Sequence, residues 1–316
     1  MIKKSLLKKI SLIFVSVLTI ILIYSFPTLS KNDNIVQSIN FIKTNDGDII
    51  YLLDNNNYVS RVNTLITSTE PLKKAKEIIN ILTINSKNSN YIQKGFSPVI
   101  PKNTKILDIS LDDDLLKINF SNEFLSIEKN LENKLIESLI YSLTSMENIN
   151  AIMIFVEGEH LNFLPNSKKE LPLVLTRDYG INKIYELENI KGATKTTVYY
   201  LNKYLDYYYF TPVTLINNDS SNKIEIIIKE LKSSNTIQTN LMSYLAANIE
   251  LSNFEINEQV ADLNFNNIFK ELSNKEITEE VKYAISLSIK ENYDVNKLNI
   301  YIDNELITTE ELFNLN

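Results

Sequence analysis

Apolar residues recur along the chain with two periods, and the same succession of periods is met twice. Within Ile149–Glu159 the residues Ile152, Ile154 and Val156 stand at alternate places, and within Val295–Glu305 Leu298, Ile300 and Ile302 do the same; the two segments align without a gap at an offset of 146. Such alternation predicts a strand with one face on a core. Each strand then meets a Glu-Gly or Asp-Asn pair suited to a turn. Ahead of each strand the period changes to that of a helix. Leu135, Leu139 and Leu143 match Val281, Ile285 and Ile289 at the same offset of 146, with Ile136, Ile140 and Ala284 widening the stripe. Thr278 before Glu279 and Glu280 predicts an N-cap with acids at the positive helix end.

Further upstream, Ala75, Ile78, Ile79 and Leu82 correspond to Ile224, Ile227, Ile228 and Leu231 at an offset of 149, again with helical spacing, and Pro71 suits a first turn. Strand-like runs precede both helices: Ile49–Leu53 with Tyr58–Ile66, and Thr197–Leu201 with Tyr207–Ile216. Between the helices of the first copy stand Leu107, Ile109, Leu111 and then Leu116, Ile118, Phe120, parted by Asp112, Asp113 and Asp114. The second copy offers Ala247, Ile249, Leu251 and then Ala261, Leu263.

The expected fold is therefore α+β: two tandem copies of a small ββαββαβ module over residues 48–164 and 196–309, each with its helices on one face of a small sheet. At 316 residues the chain has room for two such domains, at roughly 100–200 residues each. The connector 165–195 carries Pro165, Pro172, Gly180 and Gly192 and reads as a linker, except that Leu171–Leu175 is apolar enough to pack on a domain. At the other end, Lys3, Lys4, Lys8 and Lys9 precede an uncharged run of 17 residues, Ile10–Phe26. That length reaches the roughly 17–25 residues of a membrane span and exceeds the roughly 7–15 of a signal-peptide core, so residues 1–27 read as an uncleaved anchor ahead of a cleaved signal, for which Thr28 and Ser30 offer small residues. The lysines place the N-terminus in the cytoplasm and everything after the tether 28–47 outside, as a single-pass cell-membrane protein.

Charge and chemistry narrow the function. A net charge of −7 removes the basic footprint that nucleic-acid binding needs, and the absence of Cys removes disulfides, thiolate sites and a lipid-modified cysteine. Only five glycines occur, scattered, so no phosphate-cradling loop or nucleophile elbow forms. His160 beside Glu157 and Glu159 resembles a metal or acid–base cluster, but the second copy has Asp303, Asn304, Glu305 and Leu306 there, which explains the acids as a hairpin turn. Asp112–Asp114 lack the alternating spacing of a calcium loop and read as a solvated hairpin tip. No catalytic, cofactor or metal residue is assigned, and no enzyme activity is expected. The unusual local feature is aromatic: Tyr199, Tyr200, Tyr204, Tyr207, Tyr208 and Tyr209 crowd the first hairpin of the second copy. Cross-strand pairing accounts for most of them, yet consecutive rings fall on both faces. Tyr199, Tyr204, Tyr207, Tyr208 and Tyr209 are thus a candidate interaction surface, for a protein or, on the alternative reading, for peptidoglycan or a small ligand.

Specific segments add a resemblance. Ile100-Pro-Lys-Asn-Thr-Lys-Ile-Leu107, Leu116-Lys-Ile-Asn-Phe-Ser-Asn-Glu-Phe124, Ile152-Met-Ile-Phe-Val-Glu-Gly-Glu159 and the connector Leu173-Val-Leu-Thr-Arg-Asp-Tyr-Gly-Ile-Asn182 resemble the GerMN-domain family, as do Tyr208–Leu215 and Lys223–Leu231 for a second domain. The resemblance implies tandem ring-building modules with an αββαβ core, and a non-enzymatic role in sporulation or germination as a scaffold. It also implies protein partners among the ring-forming subunits of the channel joining mother cell and forespore. Tandem members are typically lipoproteins; with no Cys here, the anchor falls to Ile10–Phe26.

Overall fold

The computed structural model describes residues 47–86, 92–189, 191–232, 241–243, 245–266 and 278–312; the expected anchor and the tether up to residue 46 lie outside them. Among the described residues no helix is long and apolar enough to cross a membrane.

The first copy opens with the hairpin β1 (Asp48–Asp54) and β2 (Val59–Thr64), followed by α1 (Pro71–Ile81), with Pro71 in the first turn as expected, and the short β3 (Phe96–Ser97). Then come β4 (Ile106–Asp112), β5 (Leu115–Phe120), α2 (Glu132–Leu143), β6 (Ala151–Val156) and a stub, β7 (Glu159–His160). The connector adds β8 (Ile184–Glu186). The second copy repeats the plan as β9 (Thr194–Tyr204), β10 (Tyr207–Asn217), α3 (Lys223–Lys232), β11 (Leu251–Asn257), β12 (Val260–Phe265), α4 (Glu279–Asn292), β13 (Lys297–Ile302) and β14 (Glu305–Glu311).

Two small sheets have one topology. The orders β4-β5-β6-β7 and β11-β12-β13-β14 both run antiparallel, parallel, antiparallel, the parallel step being the crossover through α2 or α4. Inward residues alternate as the pattern demands: Leu116, Ile118, Phe120 in β5 and Ala261, Leu263, Phe265 in β12 are all fully buried. Two departures appear. The strand expected over Ala247–Leu251 lies at Leu251–Asn257, because Ile249 is buried from within a turn, its N–H bonding the Ala246 carbonyl, while the strand itself is half solvated. The lane beyond β13 holds a seven-residue strand, β14, that the weak alternation of Glu305–Glu311 concealed.

The larger departure concerns the hairpins. They do not complete the sheet of their own copy but merge into a shared six-stranded sheet, β3-β1-β2-β10-β8, with β9 also on β10. Alone, β2 would leave an edge of unpaired backbone groups; β10 meets it in antiparallel pairing at Arg61 and Phe210, and β8 from the connector continues along β10 in parallel from Leu215 to Asn217. α2 lies over β1 and α4 over β9. Buried apolar residues form one cluster from Ile49 to Ile181 and a second from Val198 to Leu312, so each copy keeps its own core on its side of the common sheet.

Candidate functional site: the junction of the two copies

The shared sheet is built symmetrically. Ser142 in α2 accepts a hydrogen bond from the Tyr51 N–H at 2.8 Å, and Ser288 in α4 accepts one from the Tyr199 N–H at 2.9 Å, so each helix grips its hairpin at the equivalent tyrosine. Tyr51 pairs across its hairpin with Arg61 and Tyr199 with Pro212, which makes Ser60 the counterpart of Thr211. Both sets of counterparts then touch: the Tyr51 and Tyr199 hydroxyls are 3.0 Å apart, and those of Ser60 and Thr211 are 2.6 Å apart. Equivalent residues meeting each other is the mark of an approximate two-fold axis, the arrangement of a symmetric dimer within one chain.

Three polar nodes hold this axis. At the first, the Asp54 carboxylate, 3% exposed, accepts from the backbone N–H groups of Asn56 and Tyr58, from the Ser60 hydroxyl, and from Asn202 Nδ2 and the Tyr209 hydroxyl of the second copy. A buried carboxylate is tolerated only when so fully bonded. Burial, reinforced by Asp54, pushes the Tyr209 hydroxyl well above its ordinary range, keeping it a neutral donor.

At the second node, the connector supplies Asn182, in a left-handed conformation (φ 47°) that Asn accepts more readily than most residues. Its amide donates to the Val59 carbonyl at 2.8 Å and the Pro212 carbonyl at 2.7 Å, and its side-chain oxygen accepts from the Val59 N–H at 2.9 Å. The side chain thus stands in for a peptide group where β2 and β10 part. The Asn182 N–H in turn bonds Glu137 at 3.0 Å, and Glu137 also pairs with Lys183 at 2.9 Å.

At the third, Arg177 links the helices. Its Nη1 lies 2.6 Å from the Glu291 carboxylate in α4, its Nε donates to Thr144 at 3.0 Å, and its Nη2 donates to the Ser145 hydroxyl at 2.9 Å and to the Tyr141 carbonyl, at the C-terminal end of α2 where a cation is favoured. Its guanidinium sits 4.8 Å from the centre of the Tyr141 ring and 5.9 Å from that of Tyr51, while Tyr199 donates to Glu291 at 3.0 Å. Burial is the largest single influence and opposes the charge on Arg177, but Glu291 together with Tyr51, Tyr199 and Tyr141 outweighs it and holds the guanidinium above even the usual arginine range. The Tyr199 hydroxyl is driven upward, by burial first and by Glu291 second.

Sequence reasoning passed over this node, though a signal existed. Among 32 Lys and Arg residues only two are arginines, Arg61 and Arg177, and both stand at the junction, where a planar, weakly hydrated cation is what a desolvated site requires. Arg177, Tyr179 and Asn182 belong to the connector segment that carried the family resemblance, which is folded in between the copies.

The five tyrosines marked as an interaction surface are mostly spoken for. Tyr199 and Tyr209 are only 1% and 7% exposed, so neither belongs to an exposed surface; both face the junction. Tyr204 and Tyr207 are half-buried in an aromatic clasp with Phe96 of the first copy: ring centres are 5.7 Å apart for Tyr204 and Tyr207, 6.3 Å for Phe96 and Tyr207, and 4.8 Å for Phe96 and Tyr209. The Tyr207 hydroxyl donates to the Lys94 carbonyl. Gly95, at φ +95°, lets the Tyr204 ring lie where a Cβ would come within 2.6 Å of it. Tyr208 points the other way, half-buried, with Lys203 5.0 Å from its ring centre. Aromatic crowding in one copy is therefore the complement of β3 in the other.

The remaining candidates are turns. Glu157 and Gly158 have positive φ, 52° and 86°, and His160 bonds Asn162 and the Leu173 carbonyl. Asp112–Asp114 form an exposed hairpin tip, with Asp113 at φ 53°. Among the described residues no three His, Asp or Glu side chains converge as a metal site.

With this geometry in place, the likeness to known proteins has a structural meaning. Residues 49–162 match the family described as Germane, sporulation and spore germination. The spore germination protein GerM of Bacillus subtilis (strain 168) is 30% identical over 267 residues, which cover 80% of this chain and 70% of that protein. The tandem GerMN domains of the sporulation protein GerM from Bacillus subtilis superpose with a TM-score of 0.76 at 26% identity, covering 82% of this chain and 91% of that one. An α+β duplication of this kind, related in sequence across both copies and the connector, belongs to the Germane family of sporulation and spore germination proteins.

Proposed function

We propose that this protein is a non-enzymatic scaffold of spore formation, held at the cell membrane by Ile10–Phe26 with its two modules, residues 48–164 and 196–309, outside the cytoplasm. The observation that carries the reading is the use made of the buried polar groups at the junction: the Asp54, Asn182 and Arg177 nodes are saturated with bonds inside the fold and serve to fix one module against the other. A protein whose polar chemistry goes into orientation presents two surfaces at a set angle, as a bridging part must. Kinship with a sporulation protein supplies the process, and the αββαβ order within each module fits ring-building subunits of the mother cell–forespore channel as partners. The small sheets' outer edges are the surfaces such partners would use. Purification of the tagged full chain from sporulating cells should bring down channel subunits, and a deletion strain should make fewer mature spores; normal spore yield in the deletion strain would remove the proposal.

A further inference from the structure

Equivalent strands of the two copies end differently. Because Ser60 and Thr211 are counterparts, Thr64, Leu65 and Ile66 at the end of β2 answer to Leu215, Ile216 and Asn217 at the end of β10. In the second copy that end is covered. β8 runs parallel to it, Ile184 beside Leu215, Tyr185 beside Ile216 and Glu186 beside Asn217; Ile184 packs on the second core, and Ile216 is only 8% exposed. The covering strand comes from the stretch of chain just ahead of the hairpin, since β8 stops at Glu186 and β9 starts at Thr194. Among the described residues no strand takes the corresponding place beside the end of β2, and Leu65, at 77%, is the most exposed large apolar side chain. Beside it lies a groove of about 540 Å³, with Leu65 and Ser68 on one wall and Glu77, Asn80 and Ile81 of α1 on the other. Glu77 holds the walls apart by accepting the Thr67 and Ser68 N–H groups, each at 3.0 Å. Those donors are thereby spent, so what the groove offers an occupant is chiefly the apolar surface of Leu65 and Ile81. The counterpart of Glu77 in α3, at the offset of 149, is Ile226, which is 2% exposed.

We infer that this groove seats the segment Asn40–Asp46 of the same chain, with Phe41 and Ile42 against Leu65 and Ile81 as Ile184 lies against the end of β10. Three observations select that occupant. The segment stands just ahead of the first hairpin, as β8 stands just ahead of the second. Gly47 lies against the Thr64 carbonyl, where a Cβ would come within 3.0 Å of the oxygen, so the chain enters the hairpin one residue from Leu65, at the lip of the groove. Ile42 is five residues earlier, a reach of roughly 17 Å when extended, whereas Glu77 to Ile81 take up roughly 6 Å of α1. Burial of two apolar side chains supplies the attraction. The use of this seat rests on the membrane-held scaffold reading, although its existence does not: a seated segment shortens the leash between Ile10–Phe26 and the first module to residues 28–39, restricting how the scaffold turns at the membrane.

The chain has no Cys, so introduced thiols report unambiguously. Full-length protein in detergent carrying Ile42→Cys and Asn80→Cys, treated with a short bis-maleimide at high dilution, should link within one chain, as peptide mass spectrometry would show. Adding Leu65→Asp, a change at an exposed position that the fold tolerates, should slow the linking about tenfold, because the charge removes the apolar contact that seats the segment. A segment that merely roams would link at the same rate with Leu65 or Asp at that position, and that result, or no link at all, would overturn the inference. So would a Leu65→Asp protein that links unchanged but brings down fewer channel subunits, since the groove would then belong to a partner. Recovery of channel subunits with the unsubstituted protein tests the scaffold reading separately, so the two failures are distinct.

Discussion

Arg177→Met tests the junction at its centre. The substitution keeps much of the stem's volume but removes a guanidinium that bonds Glu291, Thr144, Ser145 and the Tyr141 carbonyl. Glu291, 5% exposed, then keeps only Tyr199 as a donor. Removing one partner of a fully buried ion pair costs about 3–5 kcal/mol. The Arg177 side chain is 30% exposed, so water can reach part of the vacated space; we therefore expect the lower range of charged hydrogen bonds with a stranded acid, about 2–3 kcal/mol. For a chain of this size, with an unfolding entropy of about 0.6 kcal/mol/K, that corresponds to a fall in melting temperature of roughly 3–6 °C. Calorimetry or urea unfolding of the full chain in detergent would measure it, and because Arg177 joins the helices of different modules, the single transition should also separate into two. Pairing Arg177→Met with Glu291→Leu should recover part of the loss. A change below about 0.5 kcal/mol, the ordinary scatter of surface substitutions, or strict additivity in the double variant, would refute the assignment of Arg177 as the linking residue.

The other nodes give further tests. Asn182→Ala leaves the Val59 N–H and the Val59 and Pro212 carbonyls without their partner and should cost about 2–4 kcal/mol by urea unfolding, since each buried orphan costs about 1–3 kcal/mol before relaxation. Gly95→Ala drives a methyl into the Tyr204 ring from a positive φ and should cost about 1–3 kcal/mol, part of which Tyr204→Ala restores; equal losses with and without Tyr204 would argue against the clasp. Glu132 in α2 accepts the Asn166 and Ser167 N–H groups at the start of the connector; although burial opposes it, those bonds hold its carboxyl below the ordinary value. Its contribution is complete above the usual glutamate pKa of about 4.3 and is lost as pH falls through the lower folded value, so Glu132→Gln should flatten the acid limb of the stability–pH curve and leave neutral pH little changed. At the alkaline end, Tyr141, Tyr199 and Tyr200 have hydroxyls raised by burial, so their contribution holds below about pH 10, the unfolded tyrosine value, and is lost above it as the folded groups ionise. The part of the tyrosinate absorbance that belongs to these three hydroxyls should appear together with unfolding and not ahead of it.

What was legible in the sequence followed from periodicity. The stripes Leu135–Leu143 and Val281–Ile289 and the alternation of Ile152–Val156 and Leu298–Ile302 specify elements by burial, and they lie where the pattern puts them. The shared sheet left no such trace. Ser60, Thr211 and Asn202 are buried polar residues whose partners lie about 150 positions away, and polarity at a strand position ordinarily signals solvent. The tyrosine excess was visible but its direction was not, because a ring that packs on the sister module and a ring that awaits a partner read alike in one chain. The connector misled for a related reason: Pro and Gly mark turns, and Thr176–Asn182 is built of turns, but the side chains those turns aim, Arg177 and Asn182, enter the junction.

The approximate two-fold at the junction bears on the history and the energetics of the chain together. Fusing two modules makes their encounter intramolecular, with a local concentration on the order of millimolar for a short link, which replaces roughly 4 kcal/mol of affinity that separate subunits would need. A meeting face relieved of that demand can rest on hydroxyls, a carboxylate, an amide and ion pairs beside one aromatic clasp, where free partners would require a broad greasy patch. Covalent continuity thus lets the seam favour precision of angle over strength of grip, and leaves each half at liberty to diverge on its outward side.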